Sequence, residues 1–382
     1  MRPQQLIAAY LTAALLPVGL LLAALVAYDP LTLFHRPWLR APTLHANMRL
    51  ALPGVIRRQP FDAVILGTSV LENSSADEAS TLLGHRYANL SISAGDFYER
   101  GLVLDYLLAR HPVTHVVYSL DFIYLNQRKG YRLFPLSTFD FLYDGNRLND
   151  IRAYLNEHTL SCLVHWSQDA ACIGRPLSLN RPNAWMHDPG EAVRFGGIDH
   201  WCRSAGHPQI RDLREKLNAA TERLAAGVPA PAAEESAAHA ARAIAYVDDN
   251  LLRIVVSHPH TRFTLVFPPY SRAKFALWYQ TAPQDAASHR AVIRHLVDRT
   301  RQLGNLEILG FEDQDFLDDL ANYKDLDHYR PEINTGITTA IANHQQRLTP
   351  ANVESYLDIA ERRARAFDLV ALARRLNQCE QP

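Results

Sequence analysis

The chain predicts an α/β fold built on a mostly parallel sheet, and three observations predict it. Short apolar, β-prone runs recur from Asp62 onward. Amphipathic stretches of helical length separate them, so the pattern is one of βαβ units. The first two runs also end abruptly in small residues, Gly67-Thr-Ser69 and Ser93-Ala-Gly95, as buried parallel strands do where they meet a ligand crevice.

The first run, Ala63–Leu66, is continuous and apolar and stops at Gly67, the mark of a strand buried on both faces. Tyr87–Ile92, His115–Leu120, Arg262–Phe267 and Leu306–Leu309 repeat it. Helical patterns lie between them, notably Tyr98–Arg110 and His289–Leu303. Parallel strands joined by right-handed crossovers place all five carboxyl ends on one edge, and the chemistry-bearing loops are expected there. The gap between the third and fourth runs is too long for an ordinary connection. Residues 127–260 are therefore read as a helical insertion capping the crevice, interposed between the two parts of the α/β domain, 61–126 and 261–348. A last helix is expected over 349–382, started by Thr349-Pro350.

Leu6 to Tyr28 is a run of 23 residues without a charge. At about 1.5 Å per residue it spans the roughly 30 Å hydrocarbon core of a bilayer with some tilt. A cleaved signal peptide has a shorter apolar region and small residues flanking its cut site. Neither Leu22-Ala-Ala24 nor Leu25-Val-Ala27 supplies these, so residues 1–28 are read as an uncleaved signal anchor. Five prolines between residues 29 and 60 read as a stalk. Arg2 lies on one side of the span and His35, Arg36 and Arg40 on the other, so the charge count leans toward a cytoplasmic body.

Lys+Arg and Asp+Glu are balanced at 39 and 40, with no basic block, which argues against a nucleic-acid partner. Cys162, Cys172 and Cys202 share a 41-residue window, with Cys379 alone near the end. A disulfide among the first three fits an oxidising compartment, and buried thiols are the alternative. Their spacing is not that of a zinc site, and no cofactor motif stands out: Gly67 lacks the Gly-x-Gly-x-x-Gly context of a dinucleotide fold.

Four places carry candidate chemistry. Ser69, just past the first strand, is the candidate nucleophile; the plainer reading is a strand end and helix cap. Gly95 lets backbone approach a ligand, and its N–H is a candidate oxyanion donor. In Asp325-Leu-Asp-His328 a carboxylate is spaced to orient the imidazole that takes the serine proton. Asp121, in Ser119-Leu-Asp-Phe122, would repel an oxyanion unless paired, so it is expected to orient a neighbour, and Asn73 and Asn126 are the candidate side-chain donors. Gly67-Thr-Ser69-Val-Leu71 lacks the second glycine of an α/β-hydrolase elbow.

Gly-Thr-Ser69-Val-Leu-Glu-Asn73, Gly95 and Asn322-Tyr-Lys-Asp-Leu-Asp-His-Tyr-Arg-Pro331 together resemble the SGNH/GDSL hydrolase-like superfamily. They are most similar to its membrane-anchored branch, which includes proteins of alginate O-acetylation and of D-alanine transfer to teichoic acids. The resemblance covers about 62–122 and 262–340. It implies a flavodoxin-like three-layer sandwich with a central five-stranded parallel sheet. It implies Ser69 as nucleophile, His328 as base, Asp325 as its orienter, and the Ser69 and Gly95 N–H groups in the oxyanion hole. The superfamily's Gly-x-Asn-Asp block is replaced by Ser119-Leu-Asp-Phe122. The implied function is O-acyl transfer or ester hydrolysis on a cell-envelope polysaccharide through an acyl-serine, without a cofactor. A membrane-bound acyltransferase is the implied partner, and the setting is a bacterial-type inner membrane with the body periplasmic or extracytoplasmic. The alternative is a catalytically silent accessory that binds polysaccharide or scaffolds a membrane complex.

Overall fold

All five apolar runs form strands in the computed structural model, which describes residues 3–38 and 40–379. They are β1 (Ala63–Leu66), β2 (Tyr87–Asn89), β3 (His115–Ser119), β4 (Arg262–Val266) and β5 (Leu306–Leu309). Every pairing is parallel, in the order β2-β1-β3-β4-β5. Ala63 stands opposite Tyr87 on one side and His115 on the other. Each residue of β1, β3 and β5 is buried, which is why the runs read as apolar throughout. The direction of strand addition reverses between β1 and β3, and the crevice beyond the carboxyl ends of such a pair is where open α/β sheets bind ligands.

The chain divides into two units: Met1–Pro60, Asp105–His111 and Arg132–Ser178 form one; Phe61–Leu104, Pro112–Tyr131 and Leu179–Pro382 form the other, which holds the sheet. The expected insertion, 127–260, is therefore not one body, since its aromatic-rich opening belongs to the first unit. That opening is apolar enough to supply a core: Phe139, Phe141, Leu142 and Tyr154 bury themselves with Leu25, Leu31 and Leu33.

The first unit also overturns the stalk. Asp29, Leu31 and Leu33 are buried, and residues 48–58 form a helix despite Pro53 within it. A proline inside a helix leaves the carbonyl four residues earlier without its donor. Here that carbonyl belongs to Arg49, and the Tyr143 hydroxyl donates to it at 2.7 Å. The Asp29 carboxylate accepts the backbone N–H groups of Leu33, Phe34 and His35 at 2.8–2.9 Å. Proline density marked irregular entry and turns, and tertiary partners then satisfied the freed backbone. Thr43–Leu44 pairs with Arg175–Pro176, and Cys162 is bonded to Cys172.

Helix α1, Pro3–Tyr28, is long and apolar enough to cross a membrane. In the sheet-bearing unit the helical character expected of the insertion appears in Pro208–Ala226 and Ala233–Val247, the latter running through a π-turn into Arg253–Ser257. The single terminal helix is instead two, Val353–Ala366 and Leu369–Asn377. The Gln280 amide takes the Ala364 and Phe367 carbonyls at 2.8 Å, and Asp368 caps the second helix through the Ala371 N–H. A second disulfide joins Cys202 to Cys379, a pairing outside the three-cysteine window.

Candidate active site

β1 ends at Leu66, and the chain must turn at once under β3. Only glycine fits at 67, where a Cβ would lie 2.6 Å from Ser119 Oγ and 2.9 Å from the Leu71 side chain. The turn that follows carries Ser69 and is held from several directions. The Trp185 indole N–H donates to the Ser69 carbonyl at 2.8 Å, and the Asn334 amide to that of Val70 at 2.8 Å. The Asn89 amide reaches the Leu71 and Ser74 carbonyls at 2.8 and 2.9 Å, and Arg181 Nε reaches the Asn73 carbonyl at 2.8 Å. These bonds fix the backbone that carries the Ser69 hydroxyl.

Ser69 Oγ lies 2.8 Å from His328 Nε2, and His328 Nδ1 lies 2.8 and 3.0 Å from the two oxygens of Asp325. A carboxylate only accepts, so the proton sits on Nδ1 and Nε2 is free to take the serine's. Asp325 Oδ1 also accepts the backbone N–H groups of Asp327 and His328 at 2.8 Å. Burial pushes the Asp325 carboxyl up, but the His328 imidazole, the Lys324 ammonium and the backbone bond outweigh it and hold it well below the usual carboxylate range. Sequence spacing thus brings together the three residues expected: Ser69, Asp325 and His328.

Ser69 and His328 open onto a cavity of about 200 Å³, whose walls include Val70, Phe122, Ile123, Tyr270 and Asn126. Asp121 is also there, neutralised as required: its carboxylate lies 3.1 Å from the buried Arg100 guanidinium and accepts from Thr68 Oγ1 at 2.6 Å and Ser119 Oγ at 2.5 Å. It orients Thr68, the residue before Ser69.

Two expected donors are elsewhere. The Gly95 N–H is engaged by the Ile92 carbonyl at 2.8 Å, because residues 92–95 form a turn. The residue that faces the cavity is Ala94, held at φ 53°, a conformation uncommon outside glycine and often met at functional sites. Asn73 is fully buried; its Oδ1 accepts the Met186 N–H at 3.2 Å, and it is not among the cavity's walls. Asn126 is the asparagine that lines the cavity. Among the described residues no backbone acceptor takes the N–H of Ser69.

Trp185 escaped sequence reading. Besides holding the Ser69 carbonyl, its ring stands edge-on to the His328 imidazole, with centroids 5.7 Å apart. The buried Lys324 ammonium sits 3.7 Å from the Trp185 ring centroid and pairs with Glu191. Burial pulls the Lys324 ammonium below its ordinary range, with Asp325 and Glu191 opposing. The one available signal was a tryptophan in a Pro/His-bearing stretch, which is no guide to a partner more than a hundred residues away.

Comparison with protein-family models, curated proteins and solved structures finds no match.

Proposed function

We propose that the protein is a membrane-anchored, SGNH-like serine acyl-ester enzyme, with a flavodoxin-like three-layer architecture, acting on a cell-envelope polysaccharide from the extracytoplasmic side. The observation that carries the reading is the continuous Ser69 Oγ–His328–Asp325 hydrogen-bond chain at the β1/β3 switch point. In this reading His328 Nε2 takes the Ser69 proton as Oγ attacks the ester carbonyl. The leaving alkoxide then receives that proton, and the acyl group stays on Ser69. A sugar hydroxyl or water, deprotonated by the same imidazole, releases it.

Two cavities meeting at the imidazole support acyl transfer over plain hydrolysis. The one beside Ser69 has an apolar side, Val70, Phe122, Ile123 and Tyr270, suited to an acyl group. A second, of about 110 Å³, shares Asp327 and His328 and adds Gln209, Asp212, Lys216, Lys274 and Asp325, groups suited to a hydroxylated acceptor.

The test is a fluorophosphonate probe applied to the purified full chain. Wild type is expected to label and Ser69→Ala to lose labelling. Absence of wild-type labelling, or labelling that survives the substitution, sinks the enzyme and leaves a silent polysaccharide-binding accessory. An activated acetyl ester offered with and without glycan then separates transferase from esterase.

A further inference from the structure

The first unit carries an aromatic lip at the foot of α1 whose exposure the unit's own folding does not explain. Trp38 is 68% exposed and Trp166 42%, although both are large apolar groups that folding ordinarily covers. Both are fixed in place. The Trp38 ring stacks on His35 with centroids 3.8 Å apart, and His35 Nε2 lies 2.7 Å from the Val26 carbonyl in the last turn of α1. Trp166 packs on Tyr28 with centroids 5.4 Å apart, and the Tyr28 hydroxyl donates to the Ser167 carbonyl at 2.7 Å. Between them lies a cavity of about 240 Å³, lined by Ala27, Tyr28, Trp38, Arg40 and Trp166 among others. Arg40 gives hydrogen bonds to Thr43 Oγ1 and the Asp29 carbonyl, which leaves N–H groups of its guanidinium over.

Length decides the depth at which this lip sits. Every residue of α1 from 3 to 23 is exposed, and burial against the unit begins at residue 24. At about 1.5 Å per residue the bare stretch is roughly 31 Å long, which matches the roughly 30 Å hydrocarbon core. The hydrocarbon boundary therefore falls at residues 24–28, where the cavity opens. Tryptophan and tyrosine concentrate at that level because their rings are apolar and their polar tips reach headgroups.

We propose that this face of the first unit rests in the headgroup layer of the bilayer that α1 crosses, with Trp38 and Trp166 inserted and the cavity between them holding part of a phospholipid, its phosphate toward Arg40. The surface thus continues the membrane contact of α1 and gives the unit a fixed stance on the bilayer. The proposal rests on α1 spanning a membrane and is independent of the chemistry at Ser69.

The experiment uses the full chain reconstituted in phosphatidylglycerol/phosphatidylethanolamine vesicles containing phospholipid brominated either near the headgroup or near the chain end. Resistance to carbonate extraction reports insertion of α1 separately. Headgroup-proximal bromine is expected to quench wild-type tryptophan emission more than chain-end bromine does. The Trp38→Phe/Trp166→Phe variant is expected to lose most of that quenching while remaining inserted. Inserted wild type that is not quenched, or quenching unchanged in the double variant, overturns the lipid surface and points to a protein covering the lip. Chain that carbonate extracts overturns the span and the proposal with it.

Discussion

Two hydroxyl–imidazole–carboxylate chains of the sheet-bearing unit contrast: one opens onto a cavity and the other is sealed. In the first, Ser69, His328 and Asp325 run in series, with His328 16% and Asp325 10% exposed at the side chain. In the second, the Tyr124 hydroxyl meets His289 Nδ1, and His289 Nε2 lies 2.7 Å from Glu312. Those side chains are sealed: Tyr124 is 0% exposed, His289 3% and Glu312 1%. Burial, with the Glu312 charge beside it, raises the Tyr124 hydroxyl well above its ordinary range, so it stays protonated and inert. The same connectivity faces a cavity in one place and is packed away in the other. What separates them is access to the hydroxyl and its type, a serine in one and a tyrosine in the other.

Replacing the carboxylate in each chain should separate the two most sharply. Asp325→Asn should slow fluorophosphonate labelling by roughly a thousandfold or more, because the wrong imidazole tautomer then faces Ser69, with urea unfolding little altered. Glu312→Gln should leave labelling intact and lower stability by about 2 kcal/mol, the cost of weakening a buried charge-assisted bond. Equal effects of the two on labelling would erase the distinction.

A third imidazole sharpens it further by having no carboxylate at all. His115, at the start of β3, lies between the Tyr87 hydroxyl and Thr264 Oγ1, the latter at 2.8 Å. Burial, then Arg262 and His85, depress its pKa to about 3. The unfolded chain binds a proton at this residue below about pH 6.5 while the native state does not, so stability is full above that pH and declines as pH falls toward 3. The decline is on the order of 4 kcal/mol, readable as a falling urea midpoint from pH 7 to pH 4. His115→Gln should flatten that part of the profile.

The smallest expected effect concerns what distinguishes the open chain from its sealed counterpart by position alone. Trp185→Phe keeps a ring against His328 and removes the N–H on the Ser69 carbonyl. Labelling should slow by about tenfold, equivalent to one ordinary hydrogen bond, with urea unfolding little altered. A labelling rate unchanged from wild type would reduce Trp185 to packing.

How much of this was legible in the sequence depended on the range of the forces involved. The strands were, since β1, β3 and β5 are buried along their whole length and such burial writes apolar runs. The triad was too, because Asp325 and His328 are spaced to meet locally and Ser69 ends a strand on the same sheet edge. The misplaced residues share a different cause. Gly95 attracted the oxyanion role by residue type, yet the positive φ falls on Ala94, whose conformation the surrounding loop imposes. The stalk was inferred from proline density, and what made it a folded segment, Asp29 and Tyr143, acts through bonds that no local pattern announces. Trp185 and the Cys202–Cys379 pairing are likewise products of the finished fold.

The bond between Tyr143 and the Arg49 carbonyl has an evolutionary corollary. The hydroxyl matters there because Pro53 has no N–H to offer, so the two positions are physically coupled. A lineage that exchanges the proline for an ordinary residue regains the helical donor, and selection on the tyrosine's oxygen relaxes. Phenylalanine then becomes an acceptable neighbour for Arg49. Across descendants the pair should drift together, proline with tyrosine and non-proline with either ring.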